Sequence, residues 1–150
     1  MTRFSSSADL VAAAGSHLGY SDWLEITQER INAFADATDD RQWIHVDPER
    51  AKAGPFGTTI AHGYLTLSLA VRFVDEIFAV EGVRMGVNYG ANRVRFISPV
   101  PVGSRLRAGG VLVAVEDFPG GVQATLDLTF EIEGSERPAC VAQVLYRLYL

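Results

Sequence analysis

The chain has 150 residues, 48% of them hydrophobic, so a single domain with one buried core is expected over residues 1–150. Thirteen lysines and arginines stand against 18 acidic residues, and the formal net charge of −5 argues against nucleic acid as a partner. A single cysteine, Cys140, excludes an intrachain disulfide framework and a cysteine-rich metal cluster, and it favours an intracellular protein.

Neither an export signal nor a membrane span is expected. The N-terminal segment carries one charge, and the apolar residues 10–14 are too few for the core of a signal peptide. The most apolar stretch, residues 63–71, ends at Arg72 and is shorter than the roughly 20 residues that cross a bilayer. We therefore expect a soluble cytoplasmic protein that binds a small molecule and does not bind membranes.

Two helices are predicted in the first part of the chain. Thr27 is a suitable N-cap, and the residues that would form one face of the following helix are Ile31, Phe34, Ala35 and Thr38. This helix should end near Asp39. A helix of one or two turns should begin at Asp47-Pro48, because aspartate caps helices and proline suits the first helical position, and should end before Gly54-Pro55.

Residues 61–78 predict a third helix with an unusual distribution of apolar side chains. These side chains cover almost the whole circumference of the helix: Tyr64, Leu65, Leu67, Leu69, Ala70, Val71, Phe73, Val74, Ile77 and Phe78. In a soluble protein such a helix is stable only when other elements wrap it on most sides.

The second half of the chain predicts strands. Apolar and polar residues alternate along residues 125–132, which indicates one buried and one solvated face. Further strands are expected at residues 111–115 and 142–150 and near 19–26, with a bulge near Gly90-Ala91 in the less regular segment 85–97.

The turns between these strands contain proline or glycine and predict antiparallel hairpins at residues 99–103, 119–121 and 134–138. Each strand offers one apolar face, and the apolar helix needs a wrapping. The predicted class is therefore α+β, with an antiparallel sheet curled around a central helix.

Asp40 and His45 are candidates for acid/base chemistry. They are five residues apart, so on one continuous helix they would lie about 140° from each other. If the chain leaves the helix near Asp39 and turns before Pro48, the carboxylate and the imidazole can converge on one small molecule or water. Such a pair supplies one proton acceptor and one possible donor near neutral pH.

Other interpretations of these residues remain open. Asp40 could end its helix, and His45 could be a core histidine with satisfied ring nitrogens. A zinc or iron site could be built from the residues Asp40, His45, Asp47 and His62, although no pair has the i, i+4 spacing of helical ligands.

Gly63 stands immediately before the apolar helix. A glycine there allows a substrate to approach the backbone, and free N–H groups at a helix start favour developing negative charge. Alternatively, Gly63 only relieves crowding and His62 caps or packs. Four arginines lie on or between the predicted strands, where most should be solvated and some could meet an anionic ligand: Arg93, Arg95, Arg105 and Arg107.

Taken in order, several motifs resemble those of the MaoC-like dehydratases, also called (R)-specific enoyl-CoA hydratases. The motifs are Asp40-Arg-Gln-Trp-Ile-His45-Val-Asp47-Pro48, Gly54-Pro-Phe-Gly57, Ile60-Ala-His62-Gly63-Tyr64 and Arg95-Phe-Ile-Ser-Pro-Val-Pro-Val-Gly103. The resemblance covers the chain from about Ser21 onward. It implies a hot-dog fold, in which a long helix is wrapped by a curved antiparallel sheet.

The resemblance also implies a reaction. The family motif Asp-x-Asn-Pro-aliphatic-His places its acid and base at Asp40 and His45, with Gln42-Trp43 in place of Asn-Pro. The implied reaction is the (R)-specific hydration of a trans-2-enoyl thioester, carried by CoA or acyl-carrier protein. The N–H of Gly63 would bind the thioester oxygen.

Further expectations follow from the resemblance. Contacts with the substrate are expected at His62, Tyr64, Trp43 and Arg95. Neither a cofactor nor a metal is required, and the family pairs two sheets into a homodimer. Three alternatives remain: a hot-dog thioesterase, a non-catalytic subunit that binds acyl thioesters, and a metal-dependent hydrolase.

Overall fold

The computed structural model describes residues 1–150, in six helices and eight strands. The helices are α1 (Ser7–Ala12), α2 (Gln28–Thr38), α3 (Trp43–Val46), α4 (Pro48–Lys52), α5 (Gly63–Ser68) and α6 (Ala70–Ile77). The strands are β1 (Thr2–Phe4), β2 (His17–Tyr20), β3 (Leu24–Glu25), β4 (Phe78–Val80), β5 (Met85–Phe96), β6 (Arg105–Phe118), β7 (Gly121–Ile132) and β8 (Cys140–Tyr149). None of the helices has the length and hydrophobicity that a bilayer crossing requires.

The main sheet is antiparallel, with the strand order β2-β6-β7-β8-β5, and β3 also pairs with β6. Two predicted hairpins are confirmed, since β6 pairs with β7 and β7 with β8. The register of β5 against β8 shifts between Asn88 and Gly90 and again between Ala91 and Arg93, which confirms the predicted bulge. The class is α+β, as predicted.

The predicted hairpin at residues 99–103 is wrong. β5 pairs with β8 along its whole length, so β7 and β8 separate it from β6. The segment instead pairs with the chain just before α5: Ala61 N–H donates to Val100 O at 2.8 Å, and Val102 N–H donates to Thr59 O at 2.9 Å. Its backbone groups therefore fix the entry into the central helix.

The central helix differs from the prediction in two respects. It consists of α5 and α6, which are separated at Leu69, although Leu69 N–H still donates to Leu65 O and Phe73 N–H to Leu69 O. It is also not wrapped on all sides, because Tyr64 is 72% exposed and Val71 is 42% exposed. One face of the helix is therefore left open in the single chain.

The core lies between the central helix and the concave face of the sheet. Phe73 is fully buried, and its ring lies 6.1 Å from that of Phe130. The alternation in β7 is confirmed from Leu126 to Phe130, since Leu126 and Leu128 are 1% exposed, whereas Thr125, predicted on the solvated face, is buried. Burial of these alternating side chains fixes which face of the sheet meets the helix.

Candidate functional site

A change of direction between two helices separates Asp40 from His45. Thr27 caps the start of α2 by accepting a hydrogen bond from Arg30 N–H, as predicted. The helix ends at Asp39, which has a φ of 60° and is the one non-glycine residue with a positive φ. Because this left-handed residue turns the chain, Asp40 lies in a loop and His45 lies on α3.

Hydrogen bonding fixes the orientation of His45. The side chain is buried, and its Nδ1 lies 2.7 Å from the carbonyl oxygen of Ile60. A carbonyl oxygen only accepts, so Nδ1 carries the proton and Nε2 keeps its lone pair. Burial lowers the pKa of His45, and the charge of nearby His62 adds to this, against the hydrogen bond to Ile60 and the charge of Asp40. The ring is therefore a neutral base near pH 7.

His62 lies behind His45. It is 2% exposed, and its ring stacks on that of His45 with a centroid separation of 3.8 Å and an interplanar angle of 23°. Its Nε2–H donates to the backbone carbonyl of Asp40 at 2.9 Å. His62 therefore connects the loop of Asp40 to the ring of His45, and it has almost no surface to offer a substrate.

The structure brings the two candidate catalytic side chains together. One ligand atom from each of Asp40, His45 and His62 lies within 4.8 Å of the others, and Asp40 Oδ2 is 4.0 Å from His62 Nε2. The Asp40 side chain is 51% exposed, so one partner of the pair is solvated and the other is buried. A water molecule between them would meet a carboxylate and an imidazole acceptor.

The same three residues fit a metal ion poorly. Metal ligation uses lone pairs that lie in the plane of the imidazole ring, and two rings stacked at 23° have no nearby point in both planes. The fourth residue of the predicted metal set, Asp47, caps α4 by accepting a hydrogen bond from Arg50 N–H at 3.0 Å. Its carboxylate is thus already engaged in helix capping.

A cavity of about 290 Å³ lies beside His45. Its walls include Gly63 and Thr66 from α5, Phe96 from the end of β5, and Ser98. A Cβ atom on Gly63 would lie 3.1 Å from the ring of Phe96, so only glycine fits here without moving the ring. Glycine therefore leaves the backbone at the start of α5 close to the cavity.

Tyr64 and Trp43 are not among the residues that line this cavity. The ring of Tyr64 packs edge-on against that of Phe96, with centroids 5.9 Å apart, so Tyr64 is adjacent to the cavity wall. Trp43 packs away from it, with the Arg50 guanidinium 4.5 Å from its ring and Gly54 in close contact.

Gln42 and Trp43, which replace the Asn-Pro of the family motif, lie at the start of α3. Gln42 is the N-cap of α3 and Trp43 its first residue, which are positions that asparagine and proline suit well. The Gln42 side chain makes no capping hydrogen bond. In this chain the contacts of Trp43 with α4 hold the start of α3 instead.

Arg95 differs from the other three candidate arginines. Arg93 pairs with Asp127, Arg105 with Glu133 and Arg107 with Glu131. Arg95 has no acidic partner and donates only to the adjacent Val94 carbonyl, at 2.8 Å. Arg95 is exposed, but it lines a separate depression together with Arg93 and Asp127 and is not among the residues that line the cavity beside His45.

Sequence reasoning did not find a pair of polar residues that support His45. Gln28 Nε2 donates to the backbone carbonyl of His45 at 2.7 Å, and the Thr59 hydroxyl donates to Gln28 Oε1. Thr59 is 1% exposed and precedes Ile60, the residue that accepts from the His45 ring. Gln28 and Thr59 are 31 residues apart, so no local sequence pattern indicates their contact.

The structure does not support a role for the single cysteine as a nucleophile. Cys140 is buried on β8, and burial raises the pKa of its thiol to about 11, so the thiolate is scarce near neutral pH.

Comparison with known proteins decides the family. The model of the MaoC like domain matches residues 9–130. The chain belongs to the MaoC-like domain family. A 3-hydroxyacyl-thioester dehydratase Z of Mycobacterium tuberculosis is 61% identical over 148 residues, which cover 98% of this chain and 98% of that protein.

Solved structures agree with the hot-dog fold of this MaoC-like protein. A monoamine oxidase regulatory protein from Archaeoglobus fulgius superposes with a TM-score of 0.75 and 28% identity, over 91% of this chain and 90% of the other. An (R)-hydratase from A. caviae involved in PHA biosynthesis superposes with a TM-score of 0.74 and 23% identity, over 90% of this chain and 96% of the other. The MaoC-like chain is an enzyme of the hydratase and dehydratase class, a hydro-lyase.

Proposed function

We propose that this MaoC-like protein catalyses the reversible, (R)-specific hydration of trans-2-enoyl-CoA to (R)-3-hydroxyacyl-CoA. The observation that carries the proposal is the approach of Asp40 to His45, with His45 and Gly63 lining one cavity. The name of the Mycobacterium tuberculosis relative, a 3-hydroxyacyl-thioester dehydratase, supports the same chemistry in the reverse direction.

In the proposed mechanism, a water molecule is held between the Asp40 carboxylate and Nε2 of His45. The oxygen of the water bonds to C3 as one of its protons passes to Nε2 of His45, and this proton is then delivered to C2 on the same face. The double bond becomes a single bond, the thioester is kept, and His45 returns to its neutral form. Conjugation moves electron density onto the thioester oxygen, and the unbonded N–H of Gly63 stabilises it there. Dehydration follows the same path backwards.

The proposal is tested by the stereochemistry of the product. The purified protein should remove the enoyl-thioester absorbance of crotonyl-CoA without releasing free thiol. An (S)-specific 3-hydroxyacyl-CoA dehydrogenase should fail to oxidise the product, whereas an (R)-specific one should oxidise it. Release of free CoA from saturated acyl-CoA would identify a thioesterase instead, and tight binding without turnover would identify a non-catalytic subunit.

We further propose that the partner of this chain is a second copy. β5 pairs only with β8, so the other edge of this 12-residue strand is unpaired. Between this strand and the open face of the central helix lies an apolar groove of about 280 Å³, whose walls include Leu67, Val71 and Tyr89. A second β5 would pair the edge and cover the open face of the helix.

The substitution Val71→Glu is expected to convert a dimer into a monomer in multi-angle light scattering, because it puts a charge into the covered groove. Val113→Glu is the matched control. Val113 is an exposed valine of similar accessibility, 40% against 42%, but it lies on β6, away from the β5 edge. A wild-type protein that is monomeric at micromolar concentration would contradict this proposal.

A further inference from the structure

Thr66 contributes a buried hydroxyl to the cavity beside His45. The residue lies on α5, is 3% exposed, and lines the cavity together with His45 and Gly63. Threonine in a helix commonly donates to the carbonyl three or four residues earlier. The neighbouring Ser68 does so, since its hydroxyl donates to Leu65 O at 2.8 Å.

The hydroxyl of Thr66 makes no such bond. His62 O, the carbonyl four residues earlier, accepts from the backbone N–H of Thr66, and the Thr66 side chain bonds to no protein atom. It is not among the fully enclosed side-chain atoms without a partner, which are Arg30 Nε and His62 Nδ1, so it faces open space. A hydroxyl that faces the cavity without a protein partner is free to donate to an acceptor that a ligand supplies.

The position of Thr66 on the helix determines where this hydroxyl points. Thr66 is three residues after Gly63, so both lie on one face of α5. Helical side chains lean toward the N-terminus, so the Thr66 side chain lies over the turn that begins at Gly63. The ring of Phe96 lines the same cavity and lies close to Gly63.

We propose that Thr66 is a further catalytic residue, whose hydroxyl donates a hydrogen bond to the thioester carbonyl oxygen of the bound enoyl thioester. The inference rests on the proposed function. The bond strengthens as enolate charge develops on that oxygen, so it lowers the barrier more than it tightens substrate binding. No covalent bond to Thr66 forms, and its proton stays on the hydroxyl throughout.

The kinetic test compares Thr66→Val, which keeps the shape of the side chain, with Thr66→Ser, which keeps the hydroxyl. Thr66→Val should lower kcat for crotonyl-CoA by about 10²-fold, with KM within about threefold of wild type. Thr66→Ser should restore most of kcat. Ser68→Ala is the matched control, because it also removes a hydroxyl from α5, but one already bonded to Leu65.

A spectroscopic test identifies the atom that Thr66 contacts. Binding of 2,4-hexadienoyl-CoA to the slow variant Asp40→Asn should shift its absorbance to longer wavelength, because a donor on the carbonyl oxygen polarises the conjugated system. Adding Thr66→Val to this variant should remove much of the shift.

Three outcomes would overturn the assignment: an unchanged kcat in Thr66→Val, a Thr66→Ser variant as slow as Thr66→Val, or a shift that persists without the hydroxyl. Failure of the proposed function is distinguishable from these. In that case wild-type protein would not hydrate crotonyl-CoA at all, and the binding shift measured on wild type would still report on Thr66.

Discussion

Replacing Asp40 by asparagine or His45 by glutamine is expected to lower kcat for crotonyl-CoA hydration by about 10²- to 10⁴-fold, the range typical for loss of a positioned acid or base. Both substitutions keep the approximate shape of the side chain. Glutamine at position 45 can still donate to the carbonyl of Ile60, which normally accepts from the His45 ring. The decrease in kcat would therefore report on proton transfer and on the binding of the water molecule. The measurement is the initial rate at which the enoyl-thioester absorbance disappears.

Asp36→Asn is the matched control for Asp40→Asn. Asp36 is an exposed acid near the end of α2 and pairs with Arg41 at 3.3 Å, so its removal changes local charge without touching the cavity. Its activity should stay within about twofold of wild type, since exposed ion pairs contribute little. Circular dichroism and thermal unfolding should show all three variants folded. Folded Asp40→Asn and His45→Gln variants that turn over at the wild-type rate would contradict the mechanism.

Activity should also fall steeply in acid. The ordinary pKa of histidine is about 6.5, and burial moves the pKa of His45 below it. The form with a free lone pair on Nε2 is the active base, so protonation removes activity. We expect kcat/KM to be constant from neutral pH down to a midpoint below about 6.5, and then to fall about tenfold for each further pH unit.

The pH profile has an internal control. The residual activity of His45→Gln should lack this acid limb, because glutamine does not titrate, while thermal unfolding in the same buffers should show that wild type stays folded. A midpoint above the ordinary histidine value would contradict the neutral state assigned to His45. So would a rise in kcat/KM toward acid, because the protonated ring would then be the active form.

The elements that were predicted correctly depend on local signals. Thr27 and Asp47 cap α2 and α4 because their side chains accept hydrogen bonds from N–H groups three residues further along the chain. The alternation along β7 fixes its buried face in the same local way. The left-handed residue Asp39 then separates Asp40 from α2, which is the turn that the predicted approach of Asp40 and His45 required.

The incorrect predictions concern partners that are distant in the sequence. A turn-like composition at residues 99–103 predicted a hairpin, but β5 forms its pairs with β8, so the segment bonds to the chain before α5. The apolar circumference of residues 61–78 predicted complete wrapping. A sheet of one chain covers one side of a helix, and Tyr64 and Val71 remain on the open side.

Composition and periodicity, which act over a few residues, predicted an acidic protein of the α+β class. The motifs and the family resemblance indicated Asp40, His45 and Gly63 as site residues. Only the tertiary structure shows which contacts position His45 in the site. The stacking of His62 on His45 and the chain from Thr59 through Gln28 to His45 join residues 17 to 31 positions apart. Such contacts form only when burial brings distant segments together, so no spacing in the sequence encodes them.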